Sequence, residues 1–528
     1  MKNSAPSIAS APASTGTMPR QIPFIIGNEG CERFSFYGMR NILTIFLVGY
    51  LLVDMPEEMR EGHAKDLFHI FVMGVYFFPL LGGWLADRWL GKYRTILYLS
   101  LLYCVGHAFL AVFEANKAGF YTGLFLIALG SGGIKPCVST FVGDQFDSTN
   151  KHLARFVYDG FYWIINFGSF FASLLIPYTL DNYGPSIAFG IPGVLMFIAT
   201  IIFWLGRNHY VHMPPSPKDP HSVTNVVRTA LTTKKDGAGR PGLALAVIGI
   251  VLAVAALGTF PWIGVVAAIC LAIVLLLTFG GIGVYLQLDR ARGHHPDSDV
   301  DGVRAVLRLL VIFALVTPFW SLFDQKASTW IIQGKAMQLP GWSWFTNPAQ
   351  MQSLNPMLVM ALIPFNNLVL YPMLEKLGVR VTPLRRMTAG IAFSGLAWIV
   401  AGLFQLSMDG GTNLDILWQS VPYALLTFGE VLVSATGLEF AYSQAPAKVK
   451  GVLMSFWSLS VTVGGLWVLL VNAAVRNKAV ESQIASTGMG VTAFQMFFFA
   501  GFAFLAAIAF GLYARRYKMV DHYRTAAA

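Results

Sequence analysis

The stretch Glu29-Gly30-Cys31-Glu32-Arg33-Phe34-Ser35-Phe36-Tyr37-Gly38-Met39-Arg40 sets four ionisable side chains inside an otherwise membrane-like segment. At about 100° per residue of α-helix, Glu29, Glu32, Arg33 and Arg40 fall within one stripe about 100° wide. Phe36 lies in that stripe and Tyr37 at its edge, while Ile42, Leu43 and Phe46 suit lipid or packing. Ionisable residues at bilayer depth are costly, so they normally face a bundle interior and mark a substrate or ion path. The plainer reading is a charged helix end among headgroups. It is weak, because the apolar run continues past Arg40 to Val53.

Working outward, the whole chain reads as a membrane protein. It is 55% hydrophobic and 12% charged, far from the soluble norm. Fourteen runs approach the 17–25 residues needed to cross the hydrocarbon. Six begin between Phe24 and Ser186, a pair begins near Gly242 and Pro261, and six begin between Arg304 and Gly490. The first twenty residues are rich in Ser, Ala and Pro and have no apolar h-region, so no cleavable signal peptide is expected.

Orientation follows from the basic residues. With the N-terminus inside, 27 of the 37 Lys and Arg fall on inner tails and loops and 7 on outer loops. The positive-inside bias therefore predicts both termini in the cytoplasm and an even number of crossings. It also accounts for the net charge of +10 without nucleic acid, since the basic residues are scattered over many short loops.

The spans predict an all-α membrane protein of two six-helix bundles, 22–210 and 304–516, a pattern shared by transporters built from two related halves. Between them come a linker at 211–241 with Pro214-Pro215-Ser216-Pro217, an accessory transmembrane hairpin at 242–288 and a second linker at 289–303. Polar tails, 1–21 and 517–528, close the two ends. The four cysteines lie in or beside apolar spans without metal-ligand or disulfide spacing. No Walker-type loop, serine elbow or paired-histidine zinc helix appears, which argues against ATP hydrolysis or membrane-bound hydrolase chemistry.

Counted along their spans, Lys135 and Glu430 lie about 21–24 Å below the outer edge, at the depth of Glu29 to Arg33. Opposed charges at one depth stabilise each other in a low-dielectric cavity. Snorkelling to the headgroups is the plainer reading for Lys135, and a structural partnership for Glu430. A second layer near the outer side holds Arg40, His69 and Asp324. An Arg–Asp pair there would latch the outer mouth, and a histidine beside it has a pKa suited to sensing protons. An uncoupled, satisfied histidine is an equal reading for His69.

The chain resembles the proton-dependent oligopeptide transporter (POT) family of the major facilitator superfamily, in its bacterial form. Glu29-x-x-Glu32-Arg33-Phe34 with Tyr37-Gly38 matches the family's first-helix signature. The run from His69 through Tyr76 to Gly91-Lys92-Tyr93-Arg94 resembles its second helix and loop, and Phe161 to Ser169 its fifth helix. Phe319 to Gln325 and Gln352-Ser353-Leu354-Asn355-Pro356 resemble the seventh and eighth. An extra helical pair between the halves is also typical of bacterial members. One departure is Phe36, where the family usually has a tyrosine.

The resemblance implies the major facilitator fold with fourteen transmembrane helices and, as function, proton-driven uptake of di- and tripeptides by alternating access. It implies that Arg33 and Lys135 bind the peptide carboxylate and Glu430 its amino group. Asn166, Asn355 and Ser434 would add hydrogen bonds, and Tyr37, Tyr76, Trp320 and Trp457 would line side-chain pockets. Glu29, Glu32, Arg33 and Lys135, with His69, would couple the proton, while Arg40 and Asp324 would form the outer gate. It further implies no cofactor beyond the coupling proton, a functional monomer, and an inner-membrane location. A same-fold carrier of nitrate or another small anion is the alternative; a membrane enzyme or receptor is remote, since neither a catalytic constellation nor a sensing domain appears.

Overall fold

The computed structural model describes residues 17–146, 150–215, 219–234, 239–437, 440, 444 and 450–517. Among them the chain is almost entirely helical, with two isolated β-bridges and no strand. The expected tails 1–21 and 517–528 lie mostly outside the described residues, as do Ser216 and Pro217 of the linker.

Among the described residues fourteen helices match the expected crossings. In chain order they are α1 (Ile22–Phe46), α2 (Glu57–Phe77), α3 (Gly91–Val112), α4 (Lys117–Asp144), α5 (Lys151–Tyr183), α6 (Pro185–Leu205) and α7 (Pro241–Leu257). Then follow α8 (Val265–Gln287), α9 (Asp297–Asp324), α10 (Leu354–Phe365), α11 (Pro383–Asp409), α12 (Ser420–Glu430), α13 (Lys450–Val475) and α14 (Val491–Arg516). Among the described residues twelve helical runs are long and apolar enough to cross, one of them 54 residues (Met59–Val112) that holds two crossings. Gly91 turns that run back on itself at φ 72°, a left-handed conformation that a side chain would strain. The fourteenth crossing, α7, has 17 residues and a length of about 26 Å.

Two boundaries differ from expectation. The second helix begins at Glu57, not near Asp66, because its charged first turns extend beyond the apolar run. The eighth begins at Val265, after the short Phe260–Ile263 helix. Apolarity marks where the hydrocarbon lies; helices run on past it until a cap or turn stops them.

Each bundle has its own core. In the first, α1 packs on α5 and α6, and α3 on α4, around residues such as Ile42, Phe46, Phe120 and Phe189. In the second, α9 packs on α13 and α11 on α14, around Trp330, Trp398, Tyr423 and Phe499. The bundles meet where α2 lies against α13 and α5 against α10.

At the end away from the chain termini the bundles are tied by polar contacts. Arg40 pairs with Asp324 at 2.7 Å, and Thr44 Oγ1 donates to the Ala327 carbonyl at 2.7 Å. Gln352 Nε2 donates to the Asn41 carbonyl at 3.1 Å, and Asn347 Nδ2 to Asp181 at 2.9 Å. Arg476 pairs with Asp66 at 2.5 Å. That end of the molecule is therefore closed.

Candidate functional site

The first-helix charges form a triad. Arg33 Nε lies 2.5 Å from Glu29 and 3.1 Å from Glu32. The Glu29 contact spans one helical turn, the spacing at which side chains on one face meet. Both carboxylates are almost fully buried, while the Arg33 side chain keeps 12% exposure. Arg33 is thus the most accessible member of the triad. The Glu32 contact lacks hydrogen-bond geometry, and neither of its oxygens has a hydrogen-bond partner among the described residues. One guanidinium serves two carboxylates and satisfies them unequally.

Lys135 is delivered to this layer by the glycine-rich turn of α4. Gly130, Gly132 and Gly133 let α4 touch its neighbours through backbone. A Cβ on Gly132 would press on the Val75 carbonyl, and one on Gly82 would strike the carbonyl of Gly133. Such close crossings are a common use of small residues between membrane helices. The lysine that follows projects between two rings: Nζ lies 4.3 Å from the centre of Phe36 and 4.5 Å from that of Tyr76. Sequence reasoning set Lys135 in one layer with the acidic pair, where opposed charges stabilise each other. Here its ammonium lies against aromatic faces, an electrostatic contact, and forms no hydrogen bond among the described residues. Phe36, the departure from the family pattern, is one of those faces.

In the second bundle Glu430 ends α12 and is followed by a π-helical turn, Val431–Ala435. Such turns are rare and often sit at functional positions. Asn355, at the start of α10, donates Nδ2 to Glu430 at 2.5 Å and to Thr427 at 3.0 Å. Its Oδ1 accepts from Lys326 Nζ at 2.8 Å. Lys326 is buried and also lies 3.4 Å from the Phe323 ring. Lys326, Asn355 and Glu430 therefore make one relay. Sequence reasoning missed Lys326 by counting it among outer-loop residues; its place two residues after Asp324, between apolar runs on both sides, was the available signal.

The remaining candidates are placed as follows. Tyr37 is half-buried and meets Phe36 edge-on at 5.4 Å. Trp457 packs edge-on against Phe313 and Trp320, and Trp320 Nε1 is a buried donor without a partner among the described residues. Asn166 donates back to the Tyr162 carbonyl of its own helix at 3.0 Å. Ser434 lies half-buried in the π-helical turn. His69 is fully buried, shares a hydrogen bond with Ser328 at 3.0 Å and does not bond to the Arg40–Asp324 pair. The second Asp324 oxygen and His69 Nδ1 have no hydrogen-bond partner among the described residues.

Each bundle thus carries a wall of mixed charge: Glu29, Glu32, Arg33 and Lys135 in the first, Lys326 and Glu430 in the second. Among the described residues no three His, Cys, Asp or Glu side chains are grouped to hold a metal.

Comparison with known proteins agrees with this architecture. A family model described as POT family matches residues 93–487, which begins after the Glu29–Arg40 segment. Peptide transporter 3 of Caenorhabditis elegans is 33% identical over 406 residues, 74% of this chain and 51% of its own length. The chain thus spans about half the length of the curated relatives it matches. Among solved structures, the POT family transporter PepTSo is 67% identical, with a TM-score of 0.93 over 96% of this chain and 100% of that one. An auto-inhibited POT family peptide transporter is 65% identical, with a TM-score of 0.93 over 96% and 99%. With the major facilitator architecture, the two charged walls and a family match over most of its length, the chain belongs to the POT family.

Proposed function

We propose that this protein carries di- and tripeptides into the cell together with protons, by alternating access. The observation that carries the reading is the pair of complementary grips: Arg33, held by two carboxylates of α1, and Glu430, held by the amide of Asn355. A short peptide is a zwitterion of variable middle, so a general carrier does best to hold its two ends. Arg33 offers the carboxylate a planar fork and Lys135 a point charge. Glu430 takes the amino group, with Asn355, Asn166 and Ser434 adding hydrogen bonds. Tyr37, Tyr76, Trp320 and Trp457 line the space for side chains. Since the two grips belong to different bundles, the ligand favours the state in which they approach, the differential affinity that alternating access needs.

Coupling uses the same arginine. A proton on Glu32 or Glu29 removes one claimant on Arg33 and frees it for the peptide carboxylate; loss of the proton restores the internal pair and promotes release. The two acids share one cation and titrate together, so the proton belongs to the pair. Arg40 and Asp324 form the outer gate, with His69 beside it. The membrane potential, about 2.3 kcal/mol per charge per 100 mV, then helps drive uptake. In this reading the protein is a monomeric transporter of the inner membrane, with both ends in the cytoplasm and no cofactor beyond the proton. The working units are the bundles 22–210 and 304–516, with 242–288 as an accessory hairpin.

The test is uptake of labelled dialanine into proteoliposomes with and without an inward proton gradient. Accumulation above the outside concentration only with the gradient supports symport. If dialanine neither moves nor competes while a small anion such as nitrate is carried, the peptide reading fails.

A further inference from the structure

The hairpin α7–α8 touches the rest of the molecule at two separate places. At the end away from the chain termini, Ala267 and Cys270 of α8 pack against Met73 of α2 and Leu466 and Leu469 of α13. At the other end Val284 and Leu288 pack with Val226 and Ala230 of the short helix Val223–Thr232, and with Val300 and Val303 at the start of α9. Between these contacts α8 stands off from α9, α13 and α14, and a groove of about 850 Å³ runs between them. Its walls are apolar, with Leu277 and Ile282 on one side and Leu310, Val311 and Val463 on the other. Ile282 and Val311 are 49% and 42% exposed, so the groove opens sideways on a surface formed by membrane-spanning helices.

The two ends of the groove differ. The end deep in the bundle is finished: Trp467 Nε1 donates to Thr317 Oγ1 at 3.0 Å. The end on the terminal face carries Arg308, Arg516, Tyr285, Tyr513 and Tyr517. Both arginines are exposed. One turn before Arg308, Arg304 is taken by Asp289 at 2.5 Å, whereas among the described residues no carboxylate pairs with Arg308 or Arg516. From Arg308 to Thr317 along α9 the rise is about 14 Å, close to half of a hydrocarbon core about 30 Å thick. The groove is therefore one leaflet deep, apolar along its length and cationic at headgroup level. Tyrosines at that level are the usual interfacial residues.

We propose that this groove is a binding site for one anionic phospholipid of the leaflet on the terminal face. Its phosphate sits between the Arg308 and Arg516 guanidinium groups, and its acyl chains run toward Thr317 and Trp467. Guanidinium groups hold phosphate oxygens through paired, charge-assisted hydrogen bonds, and basic pockets between membrane helices are a known form of headgroup site. The bound lipid fills the gap between α8 and the second bundle. Because α8 also touches α2 of the first bundle, it fixes the hairpin against both.

The test is native mass spectrometry of the delipidated full-length protein, titrated with phosphatidylglycerol or phosphatidylcholine. Wild type is expected to hold one phosphatidylglycerol tightly and phosphatidylcholine far more weakly. At about fivefold per basic residue, Arg308→Ala with Arg516→Ala should weaken phosphatidylglycerol binding about 30-fold. Ala314→Phe, which fills the groove and leaves both arginines in place, should also displace the lipid, so loss does not depend on charge alone. Equal binding of the two lipids, or no effect of either variant, would overturn the proposal. So would a gain in lipid binding on deleting residues 518–528, which would make the chain's own tail the occupant, or a dimer that dissociates as lipid is added.

Discussion

The two charged walls solve the same electrostatic problem differently. In the first bundle Arg33 is held by two carboxylates of its own helix, at 2.5 and 3.1 Å. In the second, Lys326 and Glu430 do not touch directly; the amide of Asn355 accepts from one and donates to the other. The first wall has more acid than its arginine can satisfy, so a proton or a competing carboxylate changes its balance. The second is matched one to one through a neutral group that does not titrate. Proton coupling is therefore expected to reside in the first wall and amino-group recognition in the second.

The comparison breaks most visibly at Arg33. Removing one partner of a buried charge cluster costs about 3–5 kcal/mol, about a hundredfold or more in affinity. Arg33→Ala should abolish both driven uptake and exchange, while a melting curve of the purified variant confirms a folded protein. Glu430→Gln should be next. It keeps an oxygen for Asn355 but loses the charge that faces an amino group. Half-saturation for dialanine should rise about 10- to 100-fold, the range of a charge-assisted hydrogen bond. The ratio of driven to undriven uptake should stay as in wild type, and a fall in that ratio would place coupling in both walls.

Asn355→Ala sharpens the same point at smaller cost. It separates Lys326 from Glu430 without removing a charge, so half-saturation should rise about fivefold to tenfold. The mildest change is Phe36→Tyr. The ring still faces Lys135, so uptake should stay within about threefold of wild type. Competition assays across dipeptides should nonetheless show a new order of preference, because a hydroxyl enters the pocket.

Much of this was legible in the sequence, for physical reasons. Apolar runs long enough to cross a bilayer have few alternative readings, so the fourteen helices and their order followed from counting. The stripe of Glu29, Glu32, Arg33 and Arg40 was legible because a helix converts spacing into direction. The helix end at Glu57 was not, since charged turns outside the hydrocarbon carry no apolar signal. Lys326 was lost because the short turn Gln325–Ala327 looks like a loop, yet packing buries it. The depth of Lys135 could be counted along its span, but its aromatic partners come from two other helices, and no spacing along one helix could name them. The Asn355 bridge is likewise a contact among distant segments.

The most direct test of the division between the walls is Glu32→Gln, assayed for dialanine in two ways on the same proteoliposomes. With an inward proton gradient the variant should fail to accumulate dialanine. In counterflow, with unlabelled dialanine inside and no gradient, it should exchange label at a rate near that of wild type. Concentrative uptake at the wild-type level by Glu32→Gln would contradict the account, since the first wall would then be a binding surface without a part in coupling.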